Sequence, residues 1–334
     1  AGYPVKDHTK WAEAAKTAKV LVESQKHDLL NDFKQLWENT CNGIWDPTES
    51  LIEVSFYSPT YSGNSDPVGR IGKWNGVKTT VDAGRSGSTA ANVQVVHSFV
   101  LNWREEAQPD ASTGISPVRR QNLSIANYKH GHNDSKTGAV YLGDYYLAAS
   151  IPTDDEATAL SKDLDPEKSQ KAKQTYTPAK WDIDKYMESI PFVNNDKSTV
   201  NWYVLRYADV LLSKAEAIIE TGGNVSDAIA ILNRIRTERD DVKIRELPLA
   251  MSREEAREKV RHERRIELAL EGRYWSDVRR WKIGKNLYPL VIKDHKGGII
   301  DTKFPNGYLD YYDLLPIPDS ERSLNPNLEQ NPGW

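Results

Sequence analysis

The chain has 334 residues, 38% of them hydrophobic and 28% charged, which is enough length and apolar content to bury a sizeable core and argues against intrinsic disorder. Its 44 basic and 48 acidic residues leave a net charge of −4, too weak and too mixed to favour nucleic acid or an anionic membrane surface as a partner. A lone cysteine, Cys41, excludes an internal disulfide without deciding the redox compartment, and no run of about 18 apolar residues exists to span a bilayer as a helix.

Thr9 stands where a cap belongs for a helix that places Trp11, Ala14, Ala15, Ala18, Leu21 and Val22 on one apolar stripe, and such a stripe needs a partner. A short helix around Leu36 and Trp37 follows and gives way to a turn at 39–43, where Cys41 has none of the surroundings of a catalytic nucleophile. Residues 51–57 alternate Ile52, Val54 and Phe56 with Glu53 and Ser55, a period of two that predicts one half-buried strand. From 58 to 195 the chain is rich in Gly, Ser, Pro, Asn and Asp, with scattered aromatics and short apolar runs such as 93–96, and reads mostly as loop. Its charged, aromatic-free stretch 154–173 is expected to form a surface excursion.

Helical periodicity returns with Leu205, Ala208, Leu211, Leu212, Ala215, Ile218 and Ile219, stops at Gly222 and Gly223, and resumes after Ser226 with Ile229, Leu232 and Ile235. The small residues Ala215 and Ala228 suit a tetratricopeptide-like helix pair, and the 11–22 segment resembles the second helix of another such unit. About 200 residues separate the two, so a long insertion interrupts the helical scaffold. Ser252 and Glu255 have capping-box spacing and open a charged helix expected to reach Glu271, with Gly272 ending it. On it Glu263, Glu267 and Glu271 share a face, as do Arg257, Arg261 and Arg265. Rows of like charge at that spacing repel unless answered, so these side chains are expected to pair with neighbouring elements and not to act as acid, base or metal ligand. Trp281 and Tyr274 are expected to pack the next short helix onto the scaffold.

Motifs for chemistry are weak throughout. His130 and His132 with Asp134 could face one metal ion if extended, but no third histidine is near, and the acidic spacing of a calcium loop is lacking. Residues 84–88 have neither the Gly-Lys-Ser/Thr ending of a phosphate loop nor the spacing of a nucleophile elbow, and read as a turn. No cofactor is implied.

The terminal stretch Leu314-Leu315-Pro316-Ile317-Pro318, with Asn325-Pro326-Asn327-Leu328 and Asn331-Pro332-Gly333-Trp334, resembles the ending of the SusD/RagB family of nutrient-binding outer-membrane lipoproteins. Two further blocks occur in that family's order: Arg206-Tyr207-Ala208-Asp209-Val210-Leu211-Leu212, and Glu263 to Gly272 followed by Asp277-Val278-Arg279-Arg280-Trp281. The resemblance implies a mainly α fold, a single SusD-like domain of tetratricopeptide type. Its scaffold would be 1–40 and 197–285, its loop-rich ligand-binding insertion with a few short strands 51–195, and its extended tail 286–334. Family members are usually longer at the N-terminus, where a lipidated cysteine holds them to the outer membrane. The chain is therefore read as the C-terminal majority of such a protein, without its anchor and without the helix that would cover the Trp11, Ala15 and Ala18 stripe.

The function so implied is capture of an oligosaccharide at the cell surface and its delivery to a SusC-like TonB-dependent transporter, without catalysis. Among ten tryptophans and 16 tyrosines, flat rings in polar loops are the natural sugar platforms. Trp103 and Tyr128 rank first, then Trp74 and Tyr61, with Asn102, Arg104 and Asn127 as polar partners for hydroxyls. Trp11, Trp37, Trp202 and Trp281 lie in helical patterns and are expected in the core. The alternatives are a RagB-like peptide-binding protein, a tetratricopeptide scaffold holding other proteins, and a polysaccharide hydrolase, which would need two carboxylates across one cleft.

Overall fold

In the computed structural model the residues described are 8–56, 69, 71–75, 93, 95, 99, 103, 119–127, 176–182, 200–293 and 299–334. They are mainly helical, with three two-stranded antiparallel sheets. In chain order the elements are α1 (Trp11–Glu23), α2 (Phe33–Cys41), β1 (Ser50–Val54), α3 (Ile71–Asn75), α4 (Arg119–Ser124), β2 (Ile125–Asn127), β3 (Tyr176–Pro178), β4 (Trp202–Arg206), α5 (Tyr207–Glu220), α6 (Val225–Thr237), α7 (Arg253–Glu267), α8 (Tyr274–Trp281), α9 (Gly284–Leu287), β5 (Leu290–Lys293), β6 (Ile299–Lys303) and α10 (Asp319–Leu324). Two compact units result, one of Ala14–Glu271 and one of Ala1–Glu13 with Gly272–Trp334.

In the larger unit α5, α6 and α7 pack on one another around Ala215, Ile219, Ala228, Ile229, Leu232, Ala256 and Val260, all buried. Ala215 and Ala228 do what small residues do at a helix crossing: they let the backbones approach. Gly222, at φ +80°, takes the chain out of α5 in the left-handed region, and the Asn224 side chain caps α6 by accepting from Ser226 N at 3.2 Å. The capping box of α7 is formed in both directions between Ser252 and Glu255. Leu21 and Val22 of α1 pack against a buried cluster that includes Leu29, Tyr207, Leu211, Leu212 and Ile235. Two stretches far apart in sequence thus share one core, as the split stripe requires.

Several sequence expectations are corrected. The helical turn His8–Lys10 contains Thr9 and leads directly into α1. The second stripe begins one element late, because Leu205 lies in β4, drawn into a ladder with β1. Strand β1 exists, but Ile52 and Val54 face solvent while Glu53 turns inward. Glu53 takes hydrogen bonds from Ser50 Oγ and Asn201 Nδ2, both 2.6 Å, and register places it opposite the buried Tyr203. The helix α7 stops at Glu267, and Leu268–Glu271 turn away before Gly272 at φ +76°.

The tail from 286 is extended only in part, since it contains the β5–β6 pair and the short helix α10. Pro318 and Pro326 flank that helix instead of interrupting it, which is where a residue lacking an N–H does least harm. In this smaller unit Trp275, Tyr288, Phe304, Tyr308 and Tyr312 form a chain of ring contacts 4.6–6.4 Å apart. The C-terminal Trp334 closes it, its indole N–H donating to the carbonyls of Tyr311 and Leu314. Trp281 is not a core residue: it is half-buried, with the Arg280 guanidinium over its ring. The motif positions 84–88, 130–134 and 154–173 lie outside the described residues.

Gly284 packs under the Tyr308 ring so closely that an added Cβ would sit 2.6 Å from Cγ. That ring is buried and tethered by its hydroxyl to Asp313 at 2.5 Å, so it cannot swing away. Gly284→Ala should therefore lower stability by about 1–3 kcal/mol, measured by urea or thermal melts, through overpacking alone.

Candidate functional site

The most densely interacting site in the described chain is a ladder of buried charges on the inner face of α7. Glu263 and Glu267, one turn apart, and Glu271 beyond the helix end project into the unit together with Glu49 from the loop before β1. Facing them are Arg120 from α4, Lys180 after β3, Arg206 at the end of β4, Arg236 in α6 and Arg239 just past it. Arg120 Nη1 reaches Glu263 at 2.5 Å and Glu267 at 3.0 Å, and Arg236 holds the other Glu263 oxygen at 2.8 Å. Arg206 forks onto both Glu271 oxygens at 2.8 and 2.9 Å and also meets Glu49 and Glu267, each at 2.8 Å. Arg239 binds both oxygens of Glu49 at 2.9 Å and touches Glu267 at 3.0 Å.

Burial by itself would raise the Glu267 carboxyl, but Arg206, Arg239 and Arg120 together outweigh it and hold the group far below the usual carboxylate range. Glu263 and Glu271 are lowered by the same balance, desolvation opposed by their arginines. Lys180 goes the other way. Desolvation outweighs its 2.6 Å bond to Glu271, and Arg206 beside it adds repulsion, so its ammonium falls to about 8. Its Nζ also lies 4.5 Å from the ring centre of Trp37, a fully buried indole edged by Phe33, Trp181 and Tyr203. Carboxylates held ionised in this way have no proton to give and are weak bases. The pairing expected for the α7 glutamates is present.

The same helix anchors the insertion through an apolar contact. Trp103 is only 4% exposed and clusters with Val95, Phe99, Ile125, Ile266 and Ala269. Its ring lies 5.6 Å from Phe99, which in turn carries the Arg265 guanidinium at 4.5 Å. This corrects the reading of Trp103 as an open sugar platform: its indole is a plug between the insertion and α7. Val95, Phe99 and Trp103 recur every four residues, an apolar spacing that could have signalled burial. Of the other sequence-predicted residues, Trp74 falls in α3 and Asn127 ends β2, while Tyr61, Asn102, Arg104 and Tyr128 lie outside the described residues. Trp37 is core, and Trp11 and Trp202 are half-buried, Trp202 stacking on Trp181 at 5.1 Å.

Sequence reasoning passed over Trp45, which is 60% exposed in the loop between α2 and β1. The one signal for it was an aromatic set between the turn formers Asn42-Gly43 and Asp46-Pro47. Among the described residues no group of three or more His, Cys, Asp or Glu side chains is arranged to hold a metal ion.

The fold is SusD-like. It superposes over the whole chain on the crystal structure of a SusD homologue from Bacteroides thetaiotaomicron with a TM-score of 0.78 and 47% identity, covering 61% of that chain. The family model described as the SusD family matches residues 118–334, and the chain belongs to that family. A SusD-like protein of Formosa agariphila is 32% identical over 199 residues, which is 57% of this chain and 37% of that protein. Surface glycan-binding protein A from Bacteroides thetaiotaomicron, solved in complex with laminarihexaose, shares the fold at a TM-score of 0.59 and 16% identity, over 97% of this chain and 60% of its own. The chain thus spans less than two thirds of the relatives it matches.

Two outcomes follow from the geometry. Between about pH 8 and the ordinary lysine value of 10.5, unfolded Lys180 keeps a proton that the folded side chain has released, so this group makes stability rise with pH. Chemical melts across that window should show the wild type gaining on Lys180→Met as pH increases, with the tyrosines and Cys41 common to both. Trp103→Ala should cost about 3–5 kcal/mol in the same melts, as removal of a buried indole does.

Proposed function

We propose that this protein is a cell-surface glycan-binding protein of the SusD type, which captures an oligosaccharide and passes it to a SusC-like TonB-dependent transporter in the outer membrane. The observation that carries the reading is membership of the SusD family over 118–334, joined to a fold shared with surface glycan-binding proteins, one of them in complex with laminarihexaose. The ion ladder supports binding over hydrolysis, because Glu263, Glu267 and Glu271 are committed to arginine and lysine partners. Its mechanism would be stacking and hydrogen bonding on residues held by a rigid scaffold, with Tyr128, Trp74 and Tyr61 as insertion platforms, Asn127 next to Tyr128, and Asn102 and Arg104 as further partners for hydroxyls. Attachment to the membrane would be through a lipid anchor, with the transporter barrel beneath.

Isothermal titration against a panel of oligosaccharides and of peptides tests the reading, run beside an assay for new reducing ends. The expected result is saturable binding to at least one oligosaccharide, weakened about five- to thirtyfold by Tyr128→Ala, with no reducing ends released. Binding confined to peptides would move the protein to the RagB-like branch, and release of reducing ends would make it a hydrolase.

A further inference from the structure

Strands β1 and β4 carry the chain into and out of the insertion, and their ladder ends at the pair Val54 and Trp202. One side chain carries the pairing past that point. Asn201, only 1% exposed, accepts from Phe56 N at 3.2 Å through Oδ1 and donates through Nδ2 to Glu53 Oε1 at 2.6 Å. Its backbone is held as closely, N donating to Thr40 O at 2.9 Å and O accepting from Thr40 Oγ1 at 2.6 Å, with Thr40 buried in α2. The two ends of the insertion are thereby clasped to each other and to the scaffold by a single asparagine. The clasp closes on Glu53, whose second oxygen accepts from Ser50 Oγ at 2.6 Å.

Glu53 is unlike the carboxylates of the ion ladder. Glu49, Glu263, Glu267 and Glu271 each meet a guanidinium, whereas the half-buried Glu53 takes its hydrogen bonds from an amide and a hydroxyl, and no cation among the described residues pairs with it. Its titratable neighbours give no help. Asp46 from the loop before β1 repels it, and Tyr203, opposite on β4, is kept neutral by burial and donates its hydroxyl to Leu36 O at 2.9 Å. Glu49, Arg206 and Glu271, which act on Tyr203, are committed to one another in the ladder, and α2 reaches the clasp through the uncharged Thr40. Desolvation, with Asp46 adding to it, outweighs the bonds from Ser50 and Asn201 and raises the Glu53 carboxyl above its ordinary 4.5. A proton on Oε2 removes the buried charge and keeps the clasp, since that oxygen can then donate to Ser50 Oγ while Oε1 still accepts from Asn201.

We propose that the clasp of Glu53 and Asn201 is an acid-tightened latch on the root of the insertion: one proton taken up by Glu53 holds it shut, and loss of that proton loosens it. The latch goes beyond ligand capture and does not depend on which ligand the insertion binds. Opening returns Glu53 to water and to its ordinary affinity for a proton, so the closed form binds the proton more tightly. It therefore gains on the open form as pH falls from the raised value towards 4.5, by at most about tenfold per pH unit for a single proton. The test is amide hydrogen exchange at Phe56 and Asn201, read as protection factors on the whole chain across the weakly acidic to neutral range, in the wild type, Glu53→Gln and Ser50→Ala, with melting temperatures in parallel. Glu53→Gln mimics the protonated acid, because it accepts from Asn201 and donates to Ser50, and every other titration is common to it and the wild type. The expected result is that Glu53→Gln is the better protected at neutral pH and that the wild type closes the gap as pH falls, by up to about tenfold per pH unit. Ser50→Ala should move that rise to higher pH, since the hydroxyl it lacks favours the charged form. A ratio of wild-type to Glu53→Gln protection that stays level across the range overturns the latch. So does loss of protection at every pH in Glu53→Gln together with a lowered melting temperature, since the carboxylate and not its proton would then hold the root closed.

Discussion

The larger unit depends on moving four carboxylates and five cations out of water together. Each would be costly to bury alone, by several kcal/mol even after relaxation, and the mutual attraction repays this only when every lone pair and N–H finds a partner. Here the carboxylates are densely answered, although Arg120 Nε and Arg239 Nε are buried without a hydrogen-bond partner: Glu267 alone is approached by Arg120, Arg206 and Arg239, and its backbone carbonyl accepts from Arg206 and Lys180. The arginines are suited to the task because a planar fork can bridge two acids at once, as Arg206 does between Glu49, Glu267 and Glu271. Such a network adds little net stability over an apolar core of the same shape. What it gives is a single answer to how six pieces of chain come together, because any other arrangement leaves a charge stranded.

Those pieces are distant in sequence. The loop before β1, the end of β4, α6 and α7 belong to the helical scaffold, whereas Arg120 and Lys180 come from the insertion. The insertion is thus attached to α7 by charge at two points and by an apolar plug at a third, where Trp103 and Phe99 lie over Ile266 and Ala269. A segment fixed at three such points has a firm base on the scaffold, which is the physical condition for a binding surface there. The loop that carries Trp45 ends in Glu49 of the same ladder.

The smaller unit solves its packing differently. Val278 and the aromatic chain from Trp275 to Tyr312 take the place of an aliphatic core, and the approach of Gly284 to Tyr308 and of Gly333 to Tyr311 lets backbone lie flat on rings. The terminal residues are held by side-chain amides, Gln330 bridging both the N–H and the carbonyl of Ile317 and Asn331 donating to the Leu315 carbonyl. A proline-rich ending that has few amides to offer a sheet is fastened by amides from elsewhere in the tail.

Local pattern was sufficient wherever one element's own residues decide the outcome. The capping box at Ser252 and Glu255, the glycine exit at Gly222, the small residues at Ala215 and Ala228 and the ordered motif blocks of the SusD family were all legible in the chain, as was the need for the α7 glutamates to be paired. Facing was not legible, because it is set by partners far away in sequence. The alternation of β1 marks a strand but cannot say that Asn201 and Tyr203 would turn Glu53 inward and Ile52 outward. An aromatic in a polar insertion cannot announce that Ile266 and Ala269 will cover it, nor one in a turn that its ring will stay in solvent, so Trp103 is buried and Trp45 exposed. Sequence determined the elements, the scaffold and the family; tertiary structure decided which side chains are buried, since burial is a property of the surface that arrives and not of the residue that waits for it.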